Sequence, residues 1–211
     1  MSQGPNERLG GLSEPELDAL RRENLGVWCA VNNFKVDHKP FTFKGRKFLK
    51  DIYLCDNPNI SVRKCTQVGL TIWMILKVLH RLRFSEEVGR KIPRKAGFYF
   101  PVFDSVAKFS KDRLRPLVYD IPEFREQMSG PPSIDLVQFG NSSLYLSYTG
   151  GVASMDSTPM DILCLDEVRL MHPKTINQLE ERLSGCMDPS LYKISTAGYP
   201  NDSIDKSFML G

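Results

Sequence analysis

The sequence predicts an α/β fold with a mainly parallel central sheet flanked by helices, and three observations carry that prediction. Residues Asn59 to Leu82 read as a short apolar strand, a turn containing Gly69, and a long apolar helix. Residues Asp161 to Glu167 read as a buried strand that ends in two acids. Around these, strand-like and helix-like segments alternate, which implies parallel strands with crossover helices and ligand sites at the C-terminal strand ends.

Composition narrows the class. The 211 residues suffice for one domain with a full core, and 41% hydrophobic with 25% charged residues is ordinary for a soluble globular protein. No apolar run reaches the length of a membrane span, and Met1-Ser2-Gln3-Gly4-Pro5 lacks the basic-then-apolar layout of a secretory signal. The five cysteines (Cys29, Cys55, Cys65, Cys164 and Cys186) form no C-x-x-C pair and read as reduced thiols of a cytosolic protein. His38, His80 and His172 are far apart and offer neither a metal cluster nor a hydrolase triad. Charge is segregated: Lys77 to Lys95 holds seven Lys or Arg against two Glu, while Gly150 to Gly211 holds five against nine Asp or Glu. A basic stretch of that kind suits a polyanion, although a solvated face has the same composition.

Taken in order, residues 1–12 are polar and Gly-rich and are expected to be disordered. Ser13 and Glu16 form a capping box that starts a helix carrying Leu17, Leu20, Leu25, Trp28 and Cys29, broken at Asn32-Asn33. Gly45 to Cys55 places Phe48, Leu49, Ile52 and Tyr53 at helical spacing, and Asp56 to Asn59 is a turn. The helix after the Gly69 turn is apolar on nearly every side from Ile72 to Leu79, so it belongs between layers. Ala96 to Phe103 is a strand. Ser105 then caps a helix through Arg115, with Val106, Phe109 and Leu114 inward and Lys108, Lys111, Arg113 and Arg115 outward. After Pro116 and Pro122, Leu136 to Phe139 and Leu144 to Tyr148 flank Gly140-Asn141-Ser142 at the spacing of an inserted β-hairpin. Thr175 to Leu183 is a helix, and Leu191 to Pro200 a strand with the hydroxyl pair Ser195-Thr196 near its exit.

The chemistry sits at the turns. A loop entering a helix directs unbonded N–H groups and the positive end of the helix dipole at an anion. Gly69 permits close approach of the backbone to a phosphate, and the Thr71 hydroxyl is of the kind that holds Mg²⁺. The stretch Arg63-Lys64-Cys65-Thr66-Gln67-Val68-Gly69-Leu70-Thr71 departs from the usual phosphate-loop pattern, since Leu70 stands where a lysine is expected and the first glycine is missing. Arg63 or Lys64 can place a cation on the same phosphates from the other side. Downstream, Asp166 is a Mg²⁺ ligand candidate, Glu167 the group that orients or deprotonates water, and Ser195-Thr196 a sensor of the γ-phosphate. Each feature alone has an ordinary structural explanation: a strand-to-helix turn, a solvated acid pair, a polar strand end. Their occurrence in one order favours a P-loop NTPase-like core.

The loop from Arg63 to Thr71 closely resembles the deviant phosphate-binding loop of large terminase subunits from tailed double-stranded DNA phages, nearest the lambda-type branch. Pro40-Phe41-x-Phe43-x-Gly45 through Ile52-Tyr53, Phe109-Ser110-Lys111-x-Arg113-Leu114-x-Pro116, Leu165-Asp166-Glu167 and Ser195-Thr196-Ala197-Gly198-x-Pro200 resemble that branch too. The resemblance implies a packaging ATPase, with residues 13–58 as its N-terminal, adenine-side segment and 59–211 as the P-loop core. It implies that Lys64 contacts the β- and γ-phosphates, that Cys65, Thr66, Gln67, Val68, Gly69 and Leu70 complete the cradle, and that Thr71 and Asp166 hold Mg²⁺. Glu167 would be the catalytic carboxylate, either Arg63 or an arginine from a neighbouring subunit the group for the transition state, and Ser195 and Thr196 the motif coupling hydrolysis to movement. ATP and Mg²⁺ are the implied cofactors. The implied partners are double-stranded DNA gripped without regard to sequence, a portal protein, a small terminase subunit and further copies in a ring, in the host cytoplasm and with no membrane.

Two departures accompany the resemblance. Large terminases carry a nuclease domain after the ATPase, and here no carboxylate cluster is assignable to a two-metal nuclease, so no nuclease activity is expected. Thr66 and Gln67 are uncharged where many terminases place an arginine. Lys77 to Lys95 and the face of Lys108, Lys111, Arg113 and Arg115 are the candidate DNA contacts. The rival expectations are a helicase-like or repair ATPase, and a degenerate nucleotide-binding assembly module, which Leu70 favours.

Overall fold

The computed structural model describes residues 11–32, 34–36, 39–86, 89, 93, 95–150, 158–198 and 202–210. The expected disorder of residues 1–12 therefore lies outside the described residues for all but the last two, as do His38, Arg90, Lys91, Arg94 and Pro200.

The first helical stretch is two helices, α1 (Glu14–Glu23) and α2 (Leu25–Asn32). The capping box forms, with Glu16 Oε2 accepting from the Ser13 N–H at 2.9 Å and its hydroxyl at 2.7 Å. The chain breaks at Asn24, which is extended and accepts from the Val27 N–H at 3.0 Å, so a side chain read as mid-helix caps the second helix. A two-stranded ribbon, β1 (Lys35–Val36) with β2 (Lys39–Pro40), leads to α3 (Leu49–Leu54). This helix is shorter than Gly45 to Cys55, because residues 45–48 form turns, and Phe48 is 61% exposed instead of packed.

Next come β3 (Asn59–Lys64), α4 (Leu70–Phe84), β4 (Lys95–Phe100) and α5 (Phe103–Phe109). Helix α5 starts at Phe103 after an extended Val102, so Ser105 lies in its first turn and is not the cap. Instead of ending at Arg115, the helical path widens into a π-turn (Ser110–Leu114) and continues as α6 (Arg115–Asp120) and α7 (Pro122–Gln127). Pro116 has no N–H to give to the preceding turn, and a widened turn accommodates that loss where a regular α-turn is left one bond short. Val106, Phe109 and Leu114 are buried as expected. The remaining elements are β5 (Leu136–Phe139), β6 (Ser142–Tyr148), β7 (Ile162–Asp166), α8 (Pro173–Glu180), β8 (Ser190–Thr196) and α9 (Ser203–Leu210).

Six strands form one sheet in the order β3-β8-β7-β4-β6-β5. Every neighbouring pair is parallel except β5 with β6. The hairpin is present, but it is the sheet's own edge, joined through β6 to β4. Central strand β7 is buried at all five positions, as a parallel strand covered on both faces must be. Its alternation divides the core: Ile162 and Cys164 pack in the larger cluster with α4 and the N-terminal helices, Leu163 and Leu165 in a smaller one with Val168, Ile176, Leu179 and Ile204.

Helix α4 lies between layers, and Trp73, Met74, Ile75 and Leu76 are fully buried. That burial removes part of the basic stretch from the surface. Lys77 is 4% exposed and donates to the Cys55 carbonyl at 2.8 Å, Arg81 is 5% exposed and pairs with Asp188 at 2.8 Å, and Arg83 pairs with Glu123 at 3.1 Å. A buried charge must be neutralised internally, so Lys77 and Arg81 tie α4 to its neighbours instead of facing solvent, and the half-buried Arg83 is paired as well. All five cysteines are free, with Cys29 and Cys164 buried and Cys65 exposed. Among the described residues no helix is long and apolar enough to cross a membrane.

Candidate nucleotide and metal site

Strand order does what sequence spacing alone does not. With β8 between β3 and β7, three strand ends meet at one edge. Lys64 is opposite Thr196 and Asp166 is opposite Ile194, so Glu167 arrives level with Ser195. The loop of residues 65–69 then leaves β3 and turns into α4. Gln67 and Gly69 take positive φ, 59° and 88°, the second as the residue that enters the helix. Gln67 bears a side chain in the left-handed region, a strained conformation of the kind that gathers at ligand sites. Among the described residues no side chain caps α4, so the N–H groups of its first turn are open to an anion.

The reactive side chains converge closely. Lys64 Nζ donates to Glu167 Oε1 at 2.8 Å and lies 3.7 Å from Asp166 Oδ1. The Thr71 hydroxyl donates to Asp166 Oδ2 at 2.8 Å. The other oxygen of Glu167 accepts from the Thr196 hydroxyl at 3.1 Å, the Thr196 N–H at 3.3 Å and the Ser195 hydroxyl at 3.4 Å. Glu167 itself has φ of 56°, so the acid that ends β7 is turned sideways across β8 by a strained backbone.

The two acids titrate in opposite directions. Burial pushes the Asp166 carboxyl up, and the nearby Glu167 charge adds to it, against the charge of Lys64 and the Thr71 hydrogen bond. Glu167 is also raised by its partial burial, but the Lys64 hydrogen bond and charge, with Thr196, outweigh that and hold it below the usual carboxylate range. Asp166 Oδ1 is buried and accepts no hydrogen bond from any described residue. A buried carboxylate oxygen that has the Lys64 ammonium 3.7 Å away but takes no hydrogen bond, beside a hydroxyl and at the mouth of the loop entering α4, fits a hard divalent cation such as Mg²⁺, which needs only one or two protein ligands besides phosphates.

A stability prediction follows from Asp166. Its folded value lies above its unfolded one, so the native state holds the proton more tightly. The cost of its charge is absent below the unfolded value, grows as pH rises between the two, and is complete above the folded value. Asp166→Asn removes that titration and retains an oxygen for Thr71. In metal-free buffer at pH 7 its unfolding temperature should equal or exceed that of the parent, and the difference should shrink on acidification, as followed by circular dichroism. A variant less stable at pH 7 than at pH 4, relative to the parent, would contradict this.

The other named residues fall as follows. Arg63 is adjacent to Lys64 on a strand and so projects from the opposite face, where it pairs with Asp205 of α9 at 2.6 Å and lies over the Phe208 ring. Leu70 is 5% exposed, with its side chain in the core, so only its backbone is left for a phosphate. Cys65, Thr66, Gln67 and Val68 make up the turn itself. Lys108, Lys111 and Arg113 are exposed on α5 and the π-turn, and Arg115 is half-buried. Arg169 was not legible in the sequence. Its Nε donates to the Thr196 hydroxyl at 2.7 Å and its N–H to Ser195 Oγ at 3.2 Å, and its Nε lies 3.9 Å from Glu167, bracing the hydroxyl pair against the acid. Its position two residues after the acid pair was the available signal.

No protein-family model and no curated protein sequence matches the chain. Solved structures do. A point mutant of the large terminase ATPase domain of Thermus phage P74-26 superposes with a TM-score of 0.56 at 14% identity, over 76% of this chain and 68% of that one. The same domain without the mutation gives 0.53 at 13%, over 71% and 64%. The large terminase of a second, thermophilic bacteriophage gives 0.51 at 15%, over 73% of this chain and only 36% of that protein's length. At such identities the likeness is one of backbone architecture, and the chain has the fold of the phage large terminase ATPase domain.

Proposed function

We propose that the chain is the ATP-hydrolysing motor domain of a viral large terminase of the lambda-type branch, which uses Mg²⁺-dependent hydrolysis to drive double-stranded DNA into a procapsid. The observation that carries the proposal is the convergence of Lys64, Thr71, Asp166 and Glu167 at the mouth of the phosphate loop, within 3.7 Å of one another along the chain of contacts. Thr71 and Asp166 would hold Mg²⁺, which supplies positive charge to the phosphates of ATP. The N–H groups of residues 65–71 bind and orient those phosphates, and Lys64 leaves Glu167 to neutralise charge at the γ-phosphate. Glu167 takes the proton of the attacking water as oxygen bonds to the γ-phosphorus and the bond to the leaving ADP oxygen breaks. Because Ser195, Thr196 and Arg169 hold the same carboxylate, any displacement of Glu167 pulls on the end of β8, which is a physical route from hydrolysis to movement.

The proposal extends to partners: duplex DNA, a portal protein, a small terminase subunit and a homo-oligomeric ring, in the host cytoplasm. Arg63 is paired with Asp205 on the face of β3 opposite Lys64, so it acts on the transition state only if that pair opens and the side chain swings round the strand end, and otherwise an arginine of a neighbouring copy supplies the charge. The test is ATP turnover by the chain alone, with linear duplex DNA, and with DNA and a portal ring. Turnover stimulated by DNA supports the motor. Nucleotide binding with no turnover under any condition would favour an assembly module, and stimulation by single strands with strand separation a helicase-like enzyme.

DNA binding has its own test. Lys108 and Lys111 are exposed one turn apart, so a grip through phosphates gives affinity that falls steeply with salt and is indifferent to sequence. Lys108→Glu with Lys111→Glu should weaken binding and flatten the salt dependence by about two counterions' worth of slope, roughly 0.9 for each phosphate no longer neutralised. An unchanged slope would remove this face from the interface.

A further inference from the structure

We infer that Arg46 is a second cationic ligand of the bound nucleotide, contacting the phosphates seated at the Gly69 end of the loop, away from Glu167. The inference rests on the nucleotide site proposed above and adds a residue from outside the loop and the acid strand. A Cβ built on Gly69 would meet Arg46 Nη1 at 3.3 Å and Leu49 Cδ1 at 3.9 Å, so the guanidinium lies against the residue that opens α4. The base of that side chain is fixed. The Arg46 N–H donates to the Phe43 carbonyl at 2.9 Å and the Arg46 carbonyl accepts from the Leu49 N–H at 3.0 Å, so Arg46 joins two successive turns, the first of them carrying Gly45 with φ of 76°. Of the residues flanking it in the chain, Phe41 and Phe43 pack with Tyr53 at ring-centroid distances of 5.0 to 5.3 Å, and Leu49 is buried.

Electrostatics makes this placement informative. The N-terminal end of a helix of 15 residues carries partial positive charge, and a cation beside it is repelled. Lys64 and Arg63 are each held by a carboxylate, whereas the exposed Arg46 side chain makes no hydrogen bond or ion pair with any described residue. A guanidinium held by its turn against the positive end of a helix is stabilised when an anion lies between them. Lys64 marks the reacting end of the phosphate chain through its contact with Glu167, so Arg46, which has no contact with either acid, serves the other end.

The experiment titrates the 211-residue chain with Mg²⁺ present against ATP, ADP and tripolyphosphate, comparing the parent with Arg46→Ala and Arg46→Lys. Arg46→Ala should lose about tenfold or more in affinity for all three ligands, the scale of one charge-assisted hydrogen bond, and Arg46→Lys should recover part of it. The loss should fall on KM more than on kcat, with the unfolding temperature in nucleotide-free buffer unchanged. Parent-like affinity of Arg46→Ala for ATP, or weakened ATP with unaltered tripolyphosphate, would overturn a phosphate contact at Arg46 while leaving the nucleotide site standing. Failure of the parent to bind any of the three would overturn that site and this inference together.

Discussion

Lys64→Ala should abolish ATP hydrolysis, lowering turnover by at least about a hundredfold, the scale on which one preorganised charge acts on a transition state. The lysine of the ordinary loop pattern is missing, and Leu70 in its place is buried in the core. Lys64, with its side chain 9% exposed and in contact with both acids, is therefore the cation that the proposed site offers to the γ-phosphate. The same contacts predict a second effect. Removing Lys64 leaves Asp166 and Glu167 without their shared counter-charge, so the variant should unfold at a lower temperature at neutral pH, and acidification should narrow that gap by protonating the acids. Turnover should not recover as the stability does. Adding Leu70→Lys should fail to rescue the enzyme, because an ammonium there replaces a buried leucine in a packed layer. The measurement is ATP turnover across pH alongside thermal unfolding. Parent-like turnover in Lys64→Ala would remove this lysine from the site.

Glu167→Gln should cut turnover by about a hundredfold or more while Mg²⁺-nucleotide binding persists, the range expected when a general base is removed. Glutamine keeps the volume but has one acceptor oxygen where the carboxylate has two. In the parent both are used, Oε1 by Lys64 and Oε2 by Ser195 and Thr196. The amide satisfies one side and turns an N–H toward donors on the other, so it also loosens the tie between β7 and β8. Asp166→Ala should act differently, weakening the Mg²⁺ dependence itself. Nucleotide titrations with and without Mg²⁺ separate the two. Equal loss of binding in both variants would show that the acids share one role.

Helix α4 and the acid strand were legible in the sequence because each carries a long apolar run: Ile72 to Leu79 is apolar but for Lys77 and leaves almost no face for water, and Ile162 to Leu165 shows no alternation. Layered α/β architecture follows from those two patterns, since only a doubly covered sheet buries them both. The candidate site was legible as an ordered set of residue types, because a loop that takes a phosphate needs a glycine entering a helix and phosphoryl chemistry needs acids at a strand end. Local punctuation was less legible. Asn24, read as part of a continuous helix, caps one, and Ser105, read as a cap, lies within a turn, because the same short polar side chain serves either use.

Local sequence pattern determined which segments become strands and helices and which side chains are candidates for chemistry. Tertiary structure decided which of them meet. Insertion of β8 between β3 and β7 sets Lys64 against two acids about a hundred residues away in the chain, a pairing fixed by strand order and register and not by any local preference. The same registration separates Arg63 from Lys64, since adjacent residues on a strand face opposite sides of the sheet and Asp205 waits on the far one. Burial decided the fate of Lys77 and Arg81, which composition read as part of a basic surface and the packed interior converts into ties between layers. Arg46 and Arg169 reach the site only through the path of the folded chain, because a long cationic side chain has no periodicity of its own and its role depends on what the fold places within its reach.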